Sequence, residues 1–236
     1  MSAVTDRLAA VPLERMHLWL MLLLTFTTGI VDAVGYLGLD KVFTGNMTGN
    51  VVILGMALVG AEGLPILGPA LALVGFMAGA ALGGRVLRRA DGAWTRLTTL
   101  LFLLVALVTI VLAVVLLVVG DAPGRALGVT VTTLVGAAMG VQAATARFIA
   151  VKDVTTVVVT STITGLAADS VLGSGKGGGS ARRASAVVLI LAGAALGAAL
   201  LRWHLGAGLL AAGVLILGAT VVGAAHARLQ SRAIHV

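Results

Sequence analysis

The chain has 236 residues, 59% of them hydrophobic and only 11% charged, with a mean hydropathy of +1.12. Such a composition excludes an ordinary soluble domain and a disordered one, and it fits a single membrane domain over residues 1–236. The formal charge of +7 is not a nucleic-acid footprint, because the 16 Lys and Arg fall in short loops and tails between apolar segments, and the absence of cysteine excludes disulfides, thiolate metal sites and Cys nucleophiles.

Residues Met1 to Arg15 are polar, and no small-residue cleavage site follows the next apolar run, so the first helix, about Met16 to Leu39, is read as retained. It carries Thr25, Thr27, Thr28, Gly29, Asp32 and Gly35, with Trp19 and Tyr36 placed as interface anchors. Next comes Thr44-Gly45-Asn46-Met47-Thr48-Gly49-Asn50, a polar run inside a segment otherwise suited to lipid. Hydrocarbon cannot satisfy freed backbone groups, so such a run must be buried in protein or line a wet cavity. A helix over Pro65 to Leu87 spaces Gly75, Gly79 and Gly83 four apart, a helix-packing stripe. The basic loop Arg85, Arg88, Arg89, Arg96 leads to an apolar helix, about Leu97 to Val119, expected to face lipid, and to the turn Gly120–Gly124.

The second half opens with a helix, about Ala126 to Ala150, loaded like the first with Thr130, Thr132, Thr133, Gly136, Gly140 and Gln142. Lys152-Asp153 then leads into a second polar stretch from Thr155 to Leu166. Gly173 to Ser180 reads as a flexible linker, and not as a phosphate loop, because Gly177 follows Lys176 where Ser or Thr is required. Helices over about Ala184 to Leu201 and Leu205 to Ala227 complete the chain.

Two internal matches point to a duplication. Thr44 to Gly49 lines up with Thr160 to Gly165, and Ala78 to Gly83 is identical to Ala192 to Gly197, at offsets of 116 (160 − 44) and 114 (192 − 78). Repeat 1 covers about residues 16–119 and repeat 2 about 126–227. Charge decides whether the polar stretches cross the bilayer. If both cross, eight Lys and Arg fall on each side. If neither does, 13 lie on the side of the termini, leaving only Lys41, Arg125 and Arg202 opposite, as the positive-inside rule requires. The fold expected is therefore all-α and polytopic, with six transmembrane helices plus two re-entrant or broken segments in two inverted three-span repeats and both termini cytoplasmic. That design recurs in carriers of small solutes.

The candidate site is where the two broken segments are expected to meet: Thr44, Gly45, Asn46, Thr48, Gly49 and Asn50 with Thr160, Thr162, Thr164, Gly165 and Gln142. A helix starting near Thr48 presents backbone N–H groups and a positive dipole end, which favour an anion or a polar oxygen. The alternative is that the threonines bond neighbouring backbone and the glycines serve packing. Asp32 is the acid well inside a span, and either couples proton or cation movement or is a structural acid held by Thr or backbone N–H groups. Gln142 stands at a comparable place in the second repeat, and Asp169 is a polar contact or a surface acid. No metal or other cofactor is expected from the four scattered histidines.

The run Gly29-Ile30-Val31-Asp32-Ala33-Val34-Gly35-Tyr36-Leu37, followed by Val42-Phe43 and Thr44 to Asn50, resembles the YoaK family of bacterial membrane proteins across nearly the whole chain. Gly140-Val141-Gln142 is similar to the family in the second half, where Ser161 replaces a more usual Gly. The resemblance implies a bacterial cytoplasmic (inner) membrane protein of a family without known function. The residues favour a transporter or channel for a small polar or anionic solute, contacting lipid and no nucleic acid, with a homo-oligomer left open. A structural or partner-binding membrane protein is the alternative. No nucleophile–base set or pair of catalytic carboxylates supports an enzyme.

Overall fold

The computed structural model describes residues 7–90, 94–151, 159–171, 173–175 and 178–234; Lys152, Asp153 and Thr155–Val158 of the second polar stretch, Lys176 and Gly177 of the linker, and the Arg232 side chain lie outside the described parts. Among the described residues the architecture is helical: α1 (Leu13–Gly38), α2 (Met47–Leu58), α3 (Leu67–Leu87), α4 (Arg96–Val119), α5 (Arg125–Ile149), α6 (Val159–Ala168), α7 (Ser180–Leu200) and α8 (Leu205–Ile234). Six of these, α1, α3, α4, α5, α7 and α8, are long and apolar enough to cross a membrane. With 12 and 10 residues, α2 and α6 rise only ~18 and ~15 Å, short of a hydrocarbon core of ~30 Å.

Local chemistry sets the ends of several helices. Pro12 stands immediately before α1, where its missing N–H costs nothing. Thr95 and Thr98 form a reciprocal capping box at the start of α4, and Gly120, at a φ of 98°, ends it. An exposed apolar face of α4, with Leu100, Leu104, Leu107, Val111, Val114 and Val118, suits the expectation that it faces lipid. Its other face, including Phe102, Val105, Thr109, Ala113 and Leu116, is fully buried, and Gly206 and Gly213 let α8 close onto it. A uniformly apolar helix has no stripe to reveal that face.

Glycine seams organise the helices. α1 pairs with α7 and α8, α5 with α3 and α4, and α4 with α8, while α2 lies on α3 and α6 on α7. Exchanging the first four helices for the last four leaves that set of pairs unchanged. The match extends to single residues. Gly79 faces the Ala137 carbonyl and Gly193 faces that of Phe26; Gly83 lies against Val141 and Ala144, and Gly197 against Ile30 and Ala33. Numbers differ by 114 between α3 and α7 (193 − 79) and by 111 between α1 and α5 (137 − 26). Small residues here allow backbones to approach closely, which drives helix association where lipid is as apolar as the side chains.

The same contacts fix helix direction. Along α3 and α5, Gly75, Gly79 and Gly83 meet Thr133, Ala137 and Val141 in rising order, so the two run parallel, as do α1 and α7. Gly206, Gly213 and Gly223 on α8 meet Ala113, Ile110 and Trp94 in falling order, so α8 is antiparallel to α4. It is also antiparallel to α1, with Gly38 beside Leu205 at one end and Val11 bonded to His226 at the other. Both described chain ends therefore lie together, joined also by a hydrogen bond of 3.1 Å from Gln230 Nε2 to the Ala9 carbonyl. Trp94, packed 5.9 Å from His17 and 5.5 Å from Phe102, brings the basic loop to that end. Arg15 and Arg182 share a cavity there, and Arg96 and Arg228 share another.

The seams generate a paired prediction. Gly79→Ala and Gly193→Ala each drive a Cβ into a backbone carbonyl and should destabilise the purified protein comparably, by roughly 1–3 kcal/mol. Gly84→Ala, whose Cβ meets nothing within 4 Å, should be neutral or stabilising by up to ~1 kcal/mol. Thermal melting of the three variants checks this; equal behaviour of all three would mean the seams are not close-packed.

Candidate functional site

The site begins where α1 ends. Beyond Gly38 the chain reverses through Asp40 and Lys41, both left-handed with φ of 61° and 56°, and the Val42 N–H donates to the Gly35 carbonyl at 3.3 Å. The reversal lays residues 42–46 back along α1. There Asp32 Oδ1 accepts the backbone N–H groups of Thr44 at 2.9 Å, Gly45 at 2.6 Å and Asn46 at 3.3 Å. Asp32 precedes the end of α1 by six residues (38 − 32), so the loop reaches ~9 Å back from the helix end. Hydrogen bonds to a charged group contribute ~1.5–3 kcal/mol each, and a buried N–H left unpaired costs a similar amount.

Each remaining residue of the run has a local task. The Asn50 amide pairs with both backbone groups of Phe43, accepting its N–H at 2.8 Å and donating to its carbonyl at 2.5 Å. Asn46 caps α2 by accepting the Gly49 N–H at 3.3 Å. The Phe43 ring lies against Gly49 and stacks on Tyr36 with centroids 4.7 Å apart, so Tyr36 also supports the loop. The two ends of the segment also meet: Lys41 Nζ donates to the Gly63 carbonyl at 2.9 Å.

Next to the carboxylate lies a polar bridge between the halves. Thr28, one turn before Asp32 on the same helix face, donates its hydroxyl to the Leu24 carbonyl at 2.9 Å and accepts Gln142 Nε2 at 3.3 Å. Because the Thr28 proton is already given away, the Gln142 NH2 group must face Thr28 and its carbonyl oxygen is the arm left over. That oxygen, and the hydroxyl of Thr44, are buried without a hydrogen-bond partner. Both residues are essentially inaccessible, at 0% and 1% exposure. Gly45 closes the cluster: a Cβ there would stand 2.7 Å from Thr28 Cγ2 and 3.5 and 3.6 Å from the two Asp32 oxygens.

The second polar segment is built differently. Thr162 is buried, Thr160 and Thr164 are exposed, and Thr164 donates to the Thr160 carbonyl at 2.9 Å. Arg183, at the start of α7, reaches back to the Gly165 carbonyl at 2.9 Å and to Asp169 at 2.7 Å, so Asp169 is an ion-pair partner. Among the described residues α2 contacts α3 and α6 contacts α7, and the two segments do not meet. The sequence-derived site thus divides. Asp32, Gly45 and Gln142 gather around Thr28, Thr44 joins them through its backbone bond to Asp32 while its methyl packs at Gly35, Asn46, Gly49 and Asn50 shape the adjoining loop, Thr48 is exposed, and Thr160, Thr162, Thr164 and Gly165 lie elsewhere.

The N–H groups of the loop before α2 are taken by Asp32, and that of Gly49 in the first turn of α2 by Asn46, so the protein supplies its own anion to the loop. Asp32 Oδ1 is thereby held by backbone N–H groups, as the structural alternative expects, while Oδ2 takes no part in that anchor. The counterpart of Asp32 is not Gln142: the seam offset of 111 places Ala143 at that position, so the second half has no equivalent carboxylate. Thr28 and Arg183 went unremarked as site residues. The spacing of Thr28 one turn from Asp32 was a usable signal, whereas nothing in the sequence tied Arg183 to Gly165.

Comparison with known proteins places these features in a family. Residues 20–222 match the family described as protein of unknown function (DUF1275), a span that includes both polar segments. UPF0700 transmembrane protein YoaK of Bacillus subtilis (strain 168) is 32% identical over 151 residues, 64% of this chain. The match spans 65% of that relative's length. No solved structure matches the chain.

The loop anchor is open to direct test. Asp32→Asn keeps the size of the side chain but weakens three bonds, so amide hydrogen exchange over Thr44 to Asn46 should accelerate at least tenfold while the seams of α3 and α5 stay protected. Unchanged exchange in the loop would mean that the carboxylate does not hold it.

Proposed function

The chain belongs to the DUF1275 family, and on that premise we propose that it is a transporter or channel for a small polar solute, built as two inverted three-span repeats in a bacterial inner membrane with cytoplasmic termini. The observation that carries the reading is the chain break held by Asp32 beside two buried polar atoms without partners, at the bridge between the halves. A membrane protein that served only as a scaffold would gain by replacing those atoms with methyl groups.

Helix directions support the inverted arrangement. With α1 parallel to α7 and antiparallel to α8, and α8 antiparallel to α4, the six long helices alternate in direction only if α2 and α6 add no crossing. The Lys41–Gly63 contact is what a re-entrant segment requires, since it brings entry and exit to one end. That end is opposite the basic one, so the first segment enters from outside. The second follows α5 at the basic end and enters from the cytoplasm. Broken segments near a repeat interface are a recurrent way of exposing backbone to a solute without exposing it to lipid.

The partner-binding alternative is weakened by the use of the glycine stripes. Gly75, Gly79 and Gly83 pack on α5, and Gly193 and Gly197 on α1, so these seams are spent inside the chain. We read the protein as non-enzymatic, because Asp32 is the one buried acid among the described residues and has no second carboxylate with which to share a proton.

Flux into proteoliposomes, followed by light scattering across a panel of small neutral and charged solutes, tests the reading. At least one solute should equilibrate faster than in protein-free vesicles, and Gly45→Ala, which pushes a methyl group toward Thr28, should remove most of that flux while retaining helical content. Equilibration no faster than in empty vesicles for every solute would contradict transport.

A further inference from the structure

We propose that the cluster of Asp32, Gln142 and Thr44 binds a small monovalent cation through oxygen atoms. The inference rests on the same site as the transport reading and specifies the chemistry that site accepts. It follows from an inventory of donors and acceptors. Most donors at the cluster are committed: the N–H groups of Thr44, Gly45 and Asn46 go to Asp32 Oδ1, one N–H of the Gln142 amide goes to Thr28, and the Thr28 hydroxyl goes to Leu24. What remains uncommitted is chiefly oxygen. Asp32 Oδ2 has no hydrogen bond among the described residues, the Gln142 carbonyl oxygen has none, and neither has the Thr44 hydroxyl.

These oxygens share one stretch of α1. Thr28 connects Gln142 to the helix one turn before Asp32, and the Thr44 methyl group packs against Gly35 about one turn after it. Carboxylate, amide carbonyl and hydroxyl together are the ligand set of a hard cation. One acid among the three suits a single positive charge, since divalent sites usually draw on several carboxylates. Size is limited by Gly45, whose missing Cβ leaves a gap that a methyl group would overfill. An anion is disfavoured here, because the buried Asp32 carboxylate repels it.

Binding, read separately from flux, provides the test. Purified wild-type protein is melted, with tryptophan fluorescence as the readout, in lithium, sodium, potassium or ammonium chloride, with choline chloride holding the ionic strength constant. At least one small cation should raise the melting temperature saturably, and replacing chloride with nitrate or formate should not matter. Thr44→Val should melt no lower than wild type in choline, because a methyl group replaces a hydroxyl without a partner, yet bind the cation at least about tenfold more weakly, as should Gln142→Leu. A wild-type melting temperature identical in all cations, a shift that follows the anion, or a cation shift undiminished in both variants would overturn the inference. Cation binding without solute flux would sink the transport reading and leave this one standing; flux without cation binding would do the reverse.

Discussion

One carboxylate oxygen carries an unusual share of this structure. A chain that breaks its helix inside a packed bundle leaves backbone donors that must find partners, and three of them, on Thr44, Gly45 and Asn46, converge on Asp32 Oδ1. The rest of the first segment follows from that anchor. Asn50 can serve Phe43, Asn46 can cap α2, and Lys41 can close on Gly63 because the loop has first been held against α1. Asp32 thus spends one oxygen on the loop, and Oδ2 stays outside that anchor.

The frame around that anchor is a pair of glycine seams related by duplication. α3 on α5 and α7 on α1 repeat the same close approaches at constant offsets, so the halves share a backbone design while their polar content has diverged. The first segment is tied by a carboxylate on α1 to N–H groups ahead of α2. The second is tied by Arg183 on α7 to the Gly165 carbonyl and Asp169 at the other end of α6. One latch uses an acid and donors, the other a base and acceptors.

Much of this was legible in the sequence because it rests on composition, charge and small residues. Six long apolar helices follow from apolar length, the Ala78–Gly83 match agrees with the repeated seam contacts, and the common end of the basic loops follows from the placement of Lys and Arg. Site detail was less legible because its key partners are backbone groups. The motif around Asn46 announced a break, but nothing in it names Asp32 as the acceptor of three N–H groups. Aligning Gln142 with Asp32 failed by one residue, since only the packing of Gly29 and Gly140 fixes the register. The expected meeting of the two polar segments does not occur among the described residues: sequence symmetry relates Thr44 to Thr160 but says nothing of how far each reaches from its own half.

The account stands or falls on whether residues 41–63 enter and leave the membrane on one side. Single cysteines replacing Lys41, Glu62 and Arg88 in this cysteine-free chain, probed with a membrane-impermeant thiol reagent on intact cells and after permeabilisation, measure this directly. Positions 41 and 62 should label from outside in intact cells, and position 88 only after permeabilisation. Labelling of 41 and 62 from opposite sides would mean that α2 crosses the membrane, and the inverted, re-entrant account would be wrong.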